Sequence, residues 1–347
     1  MPVSSRRSYW IAAPLLLVLV LALVWTGFWF YSAHAADRVM AAWIEREAKV
    51  GRVYTCASRT IGGYPFRIET RCTDPTVELR GGTAPVVIKA REILAVAQVY
   101  QPNLIIAEAT GPMTVAEPGE SHPLTADWSL LQASVRGLPS AVERVSLVVQ
   151  GPKLQRTGGA GPEPLLQAER IEFHARQSAD ASAAKPAYDL AARIATALVP
   201  ALPALAGRPL NAEATAVLSG LSDLAPKPVA VRLREWQAAG GRLAITAIRL
   251  QQGDAVAVAK GDLALSPRGR LDGALTVTAA GFEELSRWLG LPTAGQGGRQ
   301  AGILAGLAIL GGQAELEGKR AITMPLRFSD GTVFLGPLPL GQIGPLY

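Results

Sequence analysis

Few side chains in this sequence have the types and spacing that chemistry requires. The three histidines, His34, His122 and His174, are scattered and do not form the close sets from which metal sites are built. His122 sits in Glu120-Ser121-His122-Pro123, which reads as a turn, and His174 lies on an alternating segment out of phase with Ile171 and Phe173. Both read as ordinary surface or satisfied histidines rather than as bases. Glu283 and Glu284 are adjacent, and neighbours on a helix point apart, so they do not make an acid–base dyad. No phosphate-cradling glycine loop, dinucleotide fingerprint or serine elbow with a triad is present. The expectation is therefore a protein that is not an enzyme, with no catalytic, cofactor-binding or metal-ligating residue. A site assembled from distant segments stays open as the alternative.

The remaining reactive pair is Cys56 and Cys72. In an oxidising compartment two such residues pair, and a bridge over this loop constrains the unfolded chain by roughly 3 kcal/mol. A metal site would need histidines at ligand spacing, and a nucleophilic thiol would need a nearby base; the sequence offers neither. A structural disulfide is the better reading, and it depends on export.

The N-terminus bears on export. Trp10 to Tyr31 carries no charged residue and is mostly Leu, Val, Ala and aromatics, about the 20 residues that a helix needs to cross a bilayer core of roughly 30 Å. Trp10 at one end and Trp25, Trp29 and Tyr31 toward the other suit the two interfaces. Arg6 and Arg7 precede the run and Asp37 follows it, so the positive-inside rule puts residues 1–8 in the cytoplasm and the body outside. The rival is a cleaved signal peptide, because Ala33-His34-Ala35 has the form of a cleavage site. The apolar run is longer than a signal core, and its bulky end fits an anchor better. Both readings export the body.

Composition then limits what the body contains. The chain has 347 residues, 49% of them hydrophobic and only 6% aromatic, with 35 glycines and 25 prolines. This suits many short strands of small aliphatic residues joined by turns. A net charge of +6 is modest and dispersed, with no basic stripe interleaved with aromatics, so nucleic acid is not an expected partner.

Periodicity divides the chain into a cytoplasmic tail (1–8), a transmembrane anchor (9–31), a membrane-proximal helix (32–50), an N-terminal β-rich region (51–180), a helical insertion or linker (181–228) and a C-terminal β-rich region (229–347). The helical reading of the insertion rests on Leu190, Ile194, Ala197 and Leu198, and Gly158–Pro164 reads as a loop. Short helices are expected at Phe282–Leu289 and Ala301–Leu310, and Asp330-Gly331 between alternating segments signals a hairpin. Within Gly51–Cys72, Gly62-Gly63 supplies a bend, and Pro65 places that end of the following strand at an edge or a strand start. The cysteines would staple the feet of the resulting hairpin. The predicted fold class is an N-terminal transmembrane helix followed by a mainly β, β-rich α+β exported domain: an antiparallel curved sheet or sandwich with a few packing helices.

The segment Gly62-Gly63-Tyr64-Pro65-Phe66-Arg67, with its flanking cysteines, resembles the bacterial domain-of-unknown-function family DUF2125. The likeness continues through Asp127-Trp128-Ser129-Leu130-Leu131 and through the Leu326–Gly336 hairpin. The resemblance implies a single-anchor envelope protein of Gram-negative, chiefly alphaproteobacterial, cells, and it lends no catalytic residue. The anchor, the Gly-Tyr-Pro-Phe strand and the glycine-punctuated meanders also look similar to AsmA-like envelope proteins, which implies a long curved sheet with an apolar inner face and a link to lipid. The functional expectation is a non-catalytic periplasmic protein of the inner membrane that contacts lipid through an apolar sheet face. The alternatives are an envelope scaffold or assembly factor that binds another protein, and an envelope hydrolase.

Overall fold

The structure is a computed structural model that describes residues 6–80, 85–138, 141–158, 161–179, 181–182, 186–202, 205, 207–221, 227–281 and 312–347. The helices expected at 282–289 and 301–310 lie outside the described residues. The chain opens with one continuous helix, α1 (Arg6–Lys49). The expected division at residue 32 leaves no break, because Ala33, Ala35 and Ala36 are strong helix formers and no proline follows Pro14 within the helix. Gly51, at φ 82°, ends it. This is one helix, among the described residues, long and apolar enough to cross a membrane. Leu15 to Leu21 each leave 45–74% of their surface exposed, as side chains facing lipid would.

The chain then builds seven long strands, each interrupted near its middle by two residues. β1 (Arg52–Thr55) continues through Cys56-Ala57 into β2 (Ser58–Gly62), and β3 (Arg67–Thr73) through Asp74-Pro75 into β4 (Thr76–Leu79). β5 (Val86–Lys89) and β6 (Glu92–Gln98) flank Ala90-Arg91; β7 (Gln101–Thr110) and β8 (Met113–Ala116) flank Gly111-Pro112. β9 (Leu124–Asp127) and β10 (Leu130–Arg136) flank Trp128-Ser129; β11 (Arg144–Gln150) and β12 (Lys153–Gly158) flank Gly151-Pro152; β13 (Gly161–Gln167) and β14 (Arg170–Gln177) flank Ala168-Glu169. One set of halves forms a seven-stranded sheet in the order β1-β4-β5-β8-β9-β12-β13, and the other set follows the same order in a larger sheet as β2-β3-β6-β7-β10-β11-β14.

The interruptions therefore line up as a crease across a single antiparallel meander. Backbone bonds bridge it, including Ala57 N to Thr73 O at 2.9 Å, Asp74 N to Arg91 O at 2.8 Å and Gly151 N to Glu169 O at 2.8 Å. Pro75, Pro112 and Pro152 mark every second crossing, where a missing N–H ends one ladder and starts the next.

Beyond the crease only the larger sheet grows, through β15 (Ala187–Ala197), β16 (Leu210–Ser219), β17 (Arg242–Gln252), β18 (Ala255–Leu265), β19 (Leu271–Ala280), β20 (Gly312–Leu316), β21 (Lys319–Ser329), β22 (Thr332–Leu335) and β23 (Leu338–Gln342). It reaches 16 strands among the described residues, all paired antiparallel. A second helix, α2 (Val229–Ala238), lies between β16 and β17.

Three expectations are corrected here. Within 181–228, described residues Ala187–Ala197 and Leu210–Ser219 are strands rather than a helix: Tyr188, Leu190, Ala192 and Ile194 also alternate, and partners on both sides, β14 and β16, settle that period in favour of a strand. Val229–Ala238 is a helix rather than a return to sheet, with Leu233 and Trp236 on its packed side. Residues 161–164 belong to β13 rather than to a loop. Pro162 and Pro164 suggested otherwise, but β13 is the edge of its sheet, where a missing donor costs little.

Alternation gives the larger sheet one polar and one apolar face. α1 packs on the apolar face at β2 and β3, where Trp29, Ala33 and Val99 form a buried cluster with Ile61 and Ile68 against it. α2 packs on the same face further along, where Trp236 meets Tyr188, Leu221 and Leu265.

Candidate functional site

The Gly62–Arg67 motif is a clasp for the apolar helix α1. Gly63 turns the chain at φ 94°, and a Cβ there would lie 2.7 Å from the Arg67 carbonyl oxygen, so the position requires glycine. The turn presents its carbonyls to α1: Trp25 Nε1 donates to Pro65 O at 2.8 Å, and Trp29 Nε1 donates to Arg67 O at 2.7 Å. Thr26 Oγ1 and Tyr64 Oη lie 2.8 Å apart, and the Tyr64 ring meets Trp29 edge-on at 5.5 Å. Phe66 stands 6.1 Å from the Trp25 ring and remains 60% exposed, as do Tyr64 and Tyr100 at 54% and 65%. The motif thus brings exposed aromatics to the level of the tryptophans that end the apolar run, the composition of a membrane–water interface.

The cysteines lie at the crease end of the same hairpin, with Cys56 before β2 and Cys72 in β3. Their Cα atoms are 5.5 Å apart and their sulfurs at bonding distance. Above them α1 meets the smaller sheet through Trp43 on Tyr54, at 4.7 Å between ring centres, and through the ion pair of Glu47 with Arg52. Burial pushes the Tyr54 phenol above its ordinary range, and the Glu47 carboxylate adds to the shift. Asp37 on α1 also bonds Arg59 on β2 at 2.7 Å. The helix is therefore fixed at three levels, at the motif turn, at β2 and at β1.

Between α1 and α2 five strands carry apolar rows that neither helix covers. They are Ile93, Ala95 and Ala97 on β6; Ile105, Ala107 and Ala109 on β7; Leu131, Ala133 and Val135 on β10; Val145, Leu147 and Val149 on β11; and Ile171, Phe173 and Ala175 on β14. Their registers set these rows side by side on one face. Of these fifteen residues only Ala175 is buried, and Phe173, near the middle of the face, is 38% exposed. At the crease the Trp128 indole donates to Ala109 O at 2.7 Å and closes that end of the face. The small alanines of the central row keep it shallow. This arrangement can hold an apolar chain.

The sequence pattern of the family described as "Uncharacterized protein conserved in bacteria (DUF2125)" matches residues 29–344. The chain belongs to this bacterial family. No match was found among curated proteins or among solved structures. The DUF2125 match begins at Trp29, the tryptophan that enters the core, and includes the clasp, both cysteines and the apolar face.

The structure places the other candidate residues of this DUF2125 protein apart. His34 is exposed on α1, His122 is exposed with Nδ1 2.7 Å from Ser121 Oγ, and His174 is exposed on the polar face of the sheet. Among the described residues no three His, Cys, Asp or Glu side chains converge as metal ligands. Sequence reasoning treated Trp25 and Trp29 as interfacial aromatics and missed their indole bonds to the motif turn. No local signal pointed to them, because the turn lies some forty residues away along the chain. It also missed the alignment of arginines on the polar face, which only strand register reveals.

Proposed function

We propose that the protein is a non-catalytic, membrane-anchored component of the bacterial envelope. Its body is periplasmic and its N-terminus cytoplasmic, and it holds a lipid acyl chain against the apolar face between α1 and α2. One observation carries this reading: the face starts at the membrane helix itself. Trp29 and Ala33 of α1 pack with Ile68 and Val99, and the rows of β6 to β14, uncovered among the described residues, continue from there. Five strands at about 4.8 Å spacing span roughly 20 Å, comparable with the depth of one bilayer leaflet, about 15 Å. Each methylene moved from water to such a face contributes about 0.8 kcal/mol, so a few methylenes offset the cost of ordering the chain. The same cluster supports retention of the N-terminal segment, since cleavage after Ala35 would remove Trp29 and Ala33 from the core.

Native mass spectrometry of the full chain extracted in a mild detergent tests the proposal. Retained phospholipid, lost when Leu147 and Phe173 are replaced by Asp, is the expected result; a consistently lipid-free protein would contradict it. A second reading, an assembly factor that binds another envelope protein, has its own support in the edge strand β23. There Leu338 and Leu340 are 44% and 45% exposed, on a ladder that is unpaired among the described residues. Co-purification abolished by proline at Leu340, with lipid content unchanged, would favour that reading.

A further inference from the structure

The polar face of the large sheet balances its charges strand against strand. Arg71 pairs with Glu92 and Arg193 with Glu213 at 3.4 Å, while Arg249 pairs at 2.8 Å with Glu317 in the turn between β20 and β21. One rung departs from this rule. Register sets Arg136 on β10 directly opposite Arg144 on β11, and Arg144 directly opposite Arg176 on β14. Residues so placed have Cβ atoms about 5 Å apart, and like charges there destabilise a sheet. On the next strand Asp189 takes Arg176 at 3.1 Å. Among the described residues Arg136 and Arg144 have no ion-pair partner, and Arg136 Nε is shut off from solvent without an acceptor. Two concavities open over this rung. One of about 430 Å³ is lined by Arg136, Arg144 and Arg176 and also by Glu143, which is one residue out of phase with the rung. The other, about 560 Å³, shares Arg144 and Arg176, with Asp189 beside Arg176, and adds Ser146 and His174.

We propose that this rung is a binding site for a phosphate group. Guanidinium forks match a tetrahedral oxyanion bidentately. With Arg176 engaged by Asp189, two uncompensated cations remain, which matches the charge of about −1.5 to −2 on a phosphomonoester near neutrality. Ser146 and His174 add donors beside them. The rung lies at the same strand ends as the Tyr64-Pro65-Phe66 turn, which grips α1 at Trp25 and Trp29, so a lipid headgroup and a soluble phosphate both have a route to it. The site is on the face opposite the apolar rows and does not depend on the acyl-chain proposal.

The test uses the full chain in maltoside micelles. It is titrated with inorganic phosphate, with dihexanoyl phosphatidic acid and with dihexanoyl phosphatidylcholine, against chloride at matched ionic strength. Saturable binding of phosphate or phosphatidic acid is expected, weakened about tenfold or more, about 1.4 kcal/mol, by Arg136→Gln and by Arg144→Gln. Arg144→Gln should also raise the melting temperature in phosphate-free buffer, because it removes the like-charge opposition; a purely structural role would lower it. Binding of phosphatidic acid well above inorganic phosphate identifies the headgroup as the occupant, and equal binding identifies the free anion. No saturable binding beyond chloride, or glutamine variants that bind as the wild type does, would overturn the proposal.

Discussion

At Trp29 the indole nitrogen donates to the Arg67 carbonyl while the ring packs on Ala33 and Val99, so one side chain joins α1 to the sheet. Trp29→Phe keeps the ring and deletes the bond, leaving a half-buried carbonyl unpaired. It should cost about 1–2 kcal/mol, read as a lower midpoint in thermal unfolding of the detergent-extracted chain. The disulfide acts on the unfolded state instead. Cys56→Ser opens a loop closed over 16 positions and should cost about 3 kcal/mol, while neither cysteine of the wild type should react with maleimide before reduction. Residue-level features were unevenly legible in the sequence. The cysteine pair followed from count, context and a hairpin between them. The Gly63 turn followed from Gly-Gly before Tyr-Pro. The indole bonds did not, because nothing in the spacing of Trp25 and Trp29 says which distant carbonyls they meet. The arginine rung was invisible for a related reason: its members are eight and thirty-two residues apart, and only strand pairing sets them abreast.

Among the elements, β18 and β19 show how closely the large sheet is drawn together. Gly261 and Gly273 adopt φ 149° and 132°, and a Cβ on either would sit 2.1 or 2.2 Å from a carbonyl oxygen of the facing strand. Gly273→Ala should therefore cost about 2 kcal/mol and lower the unfolding midpoint, whereas alanine at Gly312, which meets nothing within 4 Å, should be nearly neutral. Strands with a strict two-residue period, such as Met324, Leu326 and Phe328 before the Asp330-Gly331 turn, were legible because only one period fits them. β15 was not. Its leucine and isoleucine positions satisfy helical and strand periods alike, and the choice is made by ladders to β14 and β16 that local sequence does not contain. Pro162 and Pro164 misdirected the reading of β13 for the opposite reason, since proline excludes a central strand but not an edge.

Taken whole, the molecule is a long antiparallel meander, creased along its first seven strands and clasped at one end to an apolar helix. The sequence revealed the helix, the predominance of strands and their antiparallel order. It did not reveal the crease, because the two-residue interruptions read as ordinary turn signals until their alignment across neighbouring strands is seen. A lipid chain held on the apolar face between α1 and α2 would lie against Phe173, near the middle of that face. A photoreactive benzoylphenylalanine at Phe173, in the full chain within native membranes, should cross-link to lipid upon irradiation. The same probe at His174, the neighbouring residue on the polar face, should cross-link far less. Equal lipid cross-linking from both positions, or none from Phe173, would contradict the account.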